Sequence, residues 1–253
     1  MTIRIENLHA SNSLKKILEL KWSPVGVRLV KSHETLETIP SESTRRLRYC
    51  QLLMEAKKGT SATLTKDNIA CPAAAAAFGL LPLPEKISTG EMLYTLGLFG
   101  SKEAAARTIA QMPRVEQGRI KAVAAAPLEE AKFTPDVVII EDKPEKAMWI
   151  NLASIYETGG RRSFNSAVFQ ACCVDVTVIP YLTKYVNVSL GCYGCRDATD
   201  IADDECLIGI PNEKLKEAIM ALEGLSKKAM PEARQKRVYN QLIKAQEMRV
   251  TGK

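Results

Sequence analysis

Seven cysteines carry the main chemical signal of this sequence. The tightest grouping is Gly191-Cys192-Tyr193-Gly194-Cys195-Arg196, two thiols spaced Cys-x-x-Cys after a β-like run at 185–190. The glycines let the backbone turn tightly, so both sulfurs can face one ion. This reads as half of a metal site that other cysteines complete. Cys71-Pro72 is the second signal. Pro72 suits the first position of a helix and the alanine run at 73–77 continues it, which puts Cys71 at the cap. A helix start favours an anion, so the position suits a thiolate able to bind metal or attack an electrophile. Cys50 lies among Leu47, Leu53 and Met54, where a buried core cysteine is the plainer reading. Cys172 and Cys173 are adjacent, so a regular element is expected to turn one to the site and pack the other. Cys206 follows Glu205 in an alternating run and reads as core.

The chain offers little besides sulfur. His9 and His33 are its two histidines, which argues against a Ser–His–Asp triad or a histidine-rich metal site. Neither common glycine-rich phosphate loop is present. Soft sulfur ligands point to zinc or iron–sulfur. A zinc ribbon uses two Cys-x-x-Cys pairs. One pair plus scattered single cysteines fits a [4Fe-4S] cubane at least as well. The expected ligands are Cys50, Cys71 and Cys192, with Cys195 or Cys172 as the fourth. A three-cysteine set would leave one iron open to substrate. Arg196 is expected to neutralise the cluster or hold an anionic ligand, unless it pairs with Asp197, Asp200 or Asp203. The acidic run Asp203-Asp204-Glu205 reads as a solvated turn. The expected function is therefore a cysteine-ligated iron–sulfur protein with redox or cluster-assisted small-molecule chemistry. The alternatives are a non-enzymatic zinc-binding or structural module, and a thiol enzyme using Cys71.

Composition sets the frame. The chain has 253 residues, 46% hydrophobic and 25% charged, an ordinary globular balance. There is no apolar run long enough to span a membrane and no signal-peptide core at the start, so a cytoplasmic protein is expected. In that reducing compartment the cysteines suit metal or thiol chemistry better than disulfides. The net charge is +6, and residues 213–253 hold ten Lys/Arg against five Glu, a net of +5. Aromatics do not interleave with this basic tail, so a solvated helix face is expected and not a nucleic-acid surface. The expected partner is a small molecule or an electron-transfer protein, with homo-oligomerisation left open.

The pattern of elements implies an α+β fold. Helices are expected at 11–20, from Ser41 or Ser43 to residue 58, at 101–112 and at 143–156. Strands are expected at 25–30, 120–125 and 137–140. A short apolar run ends at Pro211, and 213–225 and 231–248 read as C-terminal helices. A weak internal repeat is visible. The strands beginning at Val25 and Val137 each lead to a helix ending in glycine, at Gly59 or Gly160, and a cysteine stands twelve residues later, Cys71 or Cys172. This matches Cys50 with Asn151. It predicts one domain over 1–212 made of two related halves, about 21–90 and 120–212, around a pseudo-twofold axis, followed by a helical segment over 213–253.

Several of these segments together resemble a known family. Pro24-Val25-Gly26-Val27, Tyr49-Cys50, Asn68-Ile69-Ala70-Cys71-Pro72, Leu80, Ala126-Pro127-Leu128 and Pro135-Asp136-Val137-Val138 are among them. So are Gly191-Cys192-Tyr193-Gly194 with Arg196, and Asp204-Glu205 through Gly209-Ile210-Pro211. They resemble the uncharacterised prokaryotic family called domain of unknown function 169, common in anaerobic archaea and bacteria, over nearly the whole chain to about Leu222. The resemblance implies no reaction. It implies Cys50, Cys71, Cys192 and Cys172 or Cys173 as the general cysteine set, with Cys195 replaced in many members.

Overall fold

The structure, a computed structural model, describes residues 2–35, 37–167 and 169–251. It is α+β. In chain order it runs α1 (Thr2–Leu18), β1 (Val25–Lys31), α2 (Tyr49–Lys57), β2 (Ala62–Thr65), α3 (Pro72–Ala77), α4 (Glu85–Ser88), α5 (Glu91–Thr95), α6 (Lys102–Ala110), β3 (Ile120–Pro127) and β4 (Val137–Asp142). It continues with α7 (Pro144–Ala153), a π-helix (Ala171–Val178), α8 (Ile179–Thr183), β5 (Asn187–Ser189), α9 (Tyr193–Ala198), β6 (Cys206–Pro211), α10 (Asn212–Ser226), α11 (Ala229–Arg234) and α12 (Arg237–Thr251). The six strands form one antiparallel sheet in the order β2-β3-β1-β4-β6-β5.

Alternation along the strands divides the core in two. Val25, Val27, Leu29, Val123, Ala125, Val137, Ile139 and Leu207 face a core shared with α2, α3 and the π-helix. Val138, Ile140, Cys206, Ile208 and Ile210 face the other side, packed by α1, α7 and α10. Cys206 thus sits in the core opposite the other six cysteines, where burial pushes its thiol up to about 11. α1 begins nine residues before the start that its apolar periodicity implies, at Thr2 where residue 11 is expected. Buried Asn7 accounts for part of this, since its side chain donates to the carbonyls of Ala131 and Phe133 at 3.0 Å each.

Read from either edge, the strand order is the same: second strand of the half, third, then first. Each half is a split β-α-β unit with its third strand inserted between the other two. The helices do not match one for one. α2 crosses on the first core's face, whereas α7 lies on the other. In the second half the π-helix with α8 covers the face that α2 covers in the first. The residue-by-residue repeat expected from glycine spacing is therefore corrected. Asn151 in α7 is not the counterpart of Cys50. Cys71 follows the edge strand β2, but Cys172 precedes the edge strand β5. The residue after β5 that caps a helix as Cys71 does after β2 is Cys192.

Candidate cysteine-lined site

Tertiary pairing, not helix propensity, sets the first pair of thiols. Residues 41–47 are not helical, where helix is expected from sequence, but bridge to residues 63 and 69 with a bend at 44–45. Ser43 and Thr63 exchange backbone contacts with this segment: Ser43 N–H donates to Thr63 O at 2.9 Å, and Thr63 N–H to Ser41 O at 3.0 Å. Leu47 N–H then reaches Asn68 O at 3.1 Å, and Ala70 N–H reaches Leu47 O at 2.8 Å. α2 consequently begins at Tyr49 with Arg48 as its cap, so Cys50 lies in the first turn, just after the Leu47–Ile69 bridge that leads on to Cys71. Cys71 caps α3, with Pro72 in the first helical position as its sequence implies. Both thiols are half-buried.

The second half places its thiols by a different device. The β-branched run after Cys173 is helical, and it opens as a π-helix: Asp175 N–H reaches back five residues to Gln170 O at 3.3 Å. Thr177 Oγ1 donates to Cys172 O at 2.7 Å and pairs with the hydroxyl of buried Tyr49 at 2.9 Å, tying the two crossover helices together. Asp175 fastens the π-helix to β5. Its carboxylate accepts from Ser189 Oγ at 2.7 Å and Ser166 Oγ at 2.8 Å, and the Asn187 amide donates to its carbonyl at 2.8 Å. Burial pushes this carboxyl up to about 6 against those hydrogen bonds. In this wider helix both Cys172 and Cys173 reach the same pocket, where a regular α-helix is expected to turn only one of them inward.

Beyond β5 the chain turns at Gly191, whose φ of +87° suits glycine. A side chain there would meet Arg196 Nε at 3.1 Å. Arg196 folds back over this turn and donates to the carbonyls of Leu190 at 2.6 Å, Ala202 at 2.9 Å and Glu205 at 3.2 Å. It is a staple for the turn, stands 4.0 Å from Asp203, the pairing expected as the alternative to ligand holding, and is not among the residues that line the pocket. Cys192 caps α9, and its N–H donates to Cys195 Sγ at 3.0 Å.

These segments converge. Cys50, Cys71, Cys172, Cys173, Cys192 and Cys195 line one pocket with about 60 Å3 of free space, together with Arg48, Tyr49, Ala74, Phe169, Gln170 and Gly194. All seven cysteines are free of disulfides. Hydrogen bonds from the Cys172 and Cys192 thiols hold Cys195 down to about 3, helped by the Cys192 N–H and the Arg196 charge. The same hydrogen bonds raise Cys172 and Cys192, which stay protonated. Burial, then the neighbouring Cys195 and Cys71, pushes Cys50 up to about 12. Burial likewise raises Cys173. Cys195 is thus the one thiol held low, beside Cys50, Cys172, Cys173 and Cys192, which are raised. Among the described residues no group of three or more His, Cys, Asp or Glu side chains is set to hold a metal ion as the side chains stand.

Arg48 and Gln170 are not evident as site residues from sequence. A helix expected from Ser41 or Ser43 to residue 58 puts Arg48 inside it and not at its start. Gln170 has no motif around it; its backbone is the signal, with φ of +73° in the left-handed region.

A family model described as DUF169, uncharacterised ArCR, matches residues 13–221. The chain belongs to this uncharacterised family. It is 33% identical over 218 residues to the uncharacterized protein MJ0308 of Methanocaldococcus jannaschii, covering 83% of this chain and 91% of that protein. No solved structure matches the chain. No helix among the described residues is long and apolar enough to cross a membrane.

Proposed function

We propose that the cysteine-lined pocket is a metal–thiolate centre, best read as an iron–sulfur site with redox or cluster-assisted chemistry on a small molecule. One observation carries this reading: six thiols, none in a disulfide, line a single small pocket. Buried thiols can be core residues one at a time. Six around free space, with one already a thiolate, are better explained by an ion that needs sulfur. The fold favours four of them as ligands. In each half one cysteine lies in the first turn of the crossover helix, Cys50 or Cys172, and one caps the helix after the edge strand, Cys71 or Cys192. Cys195, bonded to both Cys172 and Cys192, is then a spare ligand or an acid–base partner beside the metal. Metal entry requires the raised thiols to lose their protons and rotate to a shared ion, so affinity should rise with pH. A cytoplasmic, reducing location fits the free thiols.

Anaerobic purification followed by iron, sulfide and zinc analysis and a visible spectrum tests this. The expected protein is brown and contains iron with sulfide. Cys71→Ser and Cys192→Ser should bleach it and lower bound iron, while Cys206→Ser should not. Colourless protein with stoichiometric zinc would replace the cluster by a zinc site, and protein free of both metals would remove the reading.

A further inference from the structure

We infer that the same pocket admits a small anionic ligand, a short carboxylate or comparable oxyanion, recognised by Arg48 at its mouth and by Gln170 within it. The inference rests on this pocket being the reactive site, but not on which metal fills it.

Arg48 is the one cationic side chain among the described lining residues. Little consumes its charge. Its guanidinium donates to Gly194 O at 3.3 Å, a long contact, and stands 3.7 Å from Asp197, whose side chain is 61% exposed. Exposed pairs of that kind are weak and screened. The planar fork keeps donors to offer an anion two at a time. Its backbone is fixed at the start of α2, where Arg48 N–H donates to Gln51 Oε1 at 3.0 Å.

Gln170 supplies a second and independent sign. Its side chain is buried, and among the described residues its amide makes one long contact, Nε2 to Ala73 O at 3.4 Å. A buried amide ordinarily satisfies more of its four hydrogen-bonding positions. Gln170 also holds a left-handed backbone, φ +73°, that is unfavourable for a non-glycine residue. Strain of this kind gathers at ligand sites. The remaining lining is sulfur and apolar, from Tyr49, Ala74 and Phe169. In the metal-free pocket about 60 Å3 of space, at roughly 10–15 Å3 for each water-sized group, holds a ligand of about four to six non-hydrogen atoms. Its charged end lies on Arg48 and its other end meets the thiols.

Thiol alkylation tests this without knowledge of the natural ligand. The full chain is treated, as isolated and after chelation, with iodoacetate and with iodoacetamide, and labelling of Cys50 and Cys71 is followed by peptide mass spectrometry. Taking the ratio of the two rates on one thiol cancels its thiolate fraction. The iodoacetate:iodoacetamide ratio should exceed that of the urea-unfolded chain by about fivefold and fall with salt. Arg48→Gln should reduce it to the unfolded value and Arg48→Lys should retain most of it, while bound metal in the isolated protein reports separately on the metal centre. Gln170→Gly, which relieves the strained backbone, should weaken protection of these thiols by acetate. A wild-type ratio no higher than that of the unfolded chain, or one that Arg48→Gln leaves unchanged, overturns the inference, whatever the metal content.

Discussion

The backbone N–H of Cys192 points at the sulfur of Cys195, 3.0 Å away, across one turn of a six-residue helix. A thiolate accepts such a bond better than a thiol does. With the Cys172 and Cys192 thiols also donating, Cys195 lies far below the ordinary cysteine value of 9.0. The metal-free protein should therefore show thiolate absorption in the far ultraviolet at pH 6. Because the value is lowered, that absorption should persist through the neutral range and disappear only as pH falls toward about 3. Cys195→Ser should abolish it at pH 6, and Cys206→Ser should leave it intact. Absorption that appears only above pH 8 in the wild type would refute the assignment.

Much of the scaffold around this pair is legible in the sequence, and what is not has identifiable causes. Pro72 with five alanines announces a helix, and Cys71 caps it because proline fixes where that helix begins. The α+β pattern follows from β-branched runs that do become β1 and β4. The start of α2 is hidden because residues 41–47 satisfy their backbone by pairing with 63 and 68–70, a non-local choice that local propensity does not record. β2 is four residues long and gives too short an alternation to detect. The run Val174–Ile179 has strand-like composition but is helical, held by Thr177 to Tyr49 and by Asp175 to β5. The role of Arg196 is hidden for a similar reason. A charge beside a cysteine suggests a ligand, but its partners are carbonyls of a turn that sequence does not display.

The π-helix lies against β6 at Gly209. A methyl group there would come within 2.1 Å of Val176 O and 2.9 Å of the Pro180 ring. Backbone on one side and a proline on the other leave no flexible group to yield. Gly209→Ala should therefore destabilise the protein by about 3 kcal/mol and lift Cys172 and Cys173 away from the pocket. Urea unfolding measures the first effect. The second should appear as faster alkylation of Cys172 and Cys173 in the folded variant. Wild-type stability in Gly209→Ala would mean that the contact is looser than these distances imply.

The basic tail does not cover the core. In α12 Val238 is 70% exposed, Tyr239 59% and Leu242 59%, so these three residues are not packed on the described body of the protein. α11 ends differently, with Met230 buried and Arg234 paired to Glu19 at 2.7 Å and Glu145 at 3.0 Å. A chain ending at Gln235 should retain its unfolding free energy within about 0.5 kcal/mol. It should also keep the same spectrum and metal content. A stop before Ala229, which removes Met230 and Arg234 as well, should lower stability by about 2 kcal/mol. Tight, salt-sensitive nucleic-acid binding by the full chain, lost on truncation at Gln235, would instead give the tail a function.

Glu129 gives a stability test far from the cysteines. Its carboxylate accepts from Ser11 Oγ at 2.7 Å, Ser23 Oγ at 2.6 Å and Lys15 Nζ at 2.6 Å, which ties α1 to the end of β3. Burial alone would raise this carboxyl, but the three partners outweigh it and hold it down at about 2, below its ordinary 4.5. A lowered value means that the folded chain favours the ionised form. The stabilisation is complete above about pH 4.5 and is lost as pH falls toward about 2. Lys15 is 35% exposed, so solvent screening reduces the effect, and about 1–2 kcal/mol at pH 7 is expected. Glu129→Gln should cost that much at pH 7 and progressively less on acidification, so the two unfolding curves should converge near pH 2. A difference that stays constant from pH 7 to pH 2 would show that the loss is one of packing geometry and not of charge.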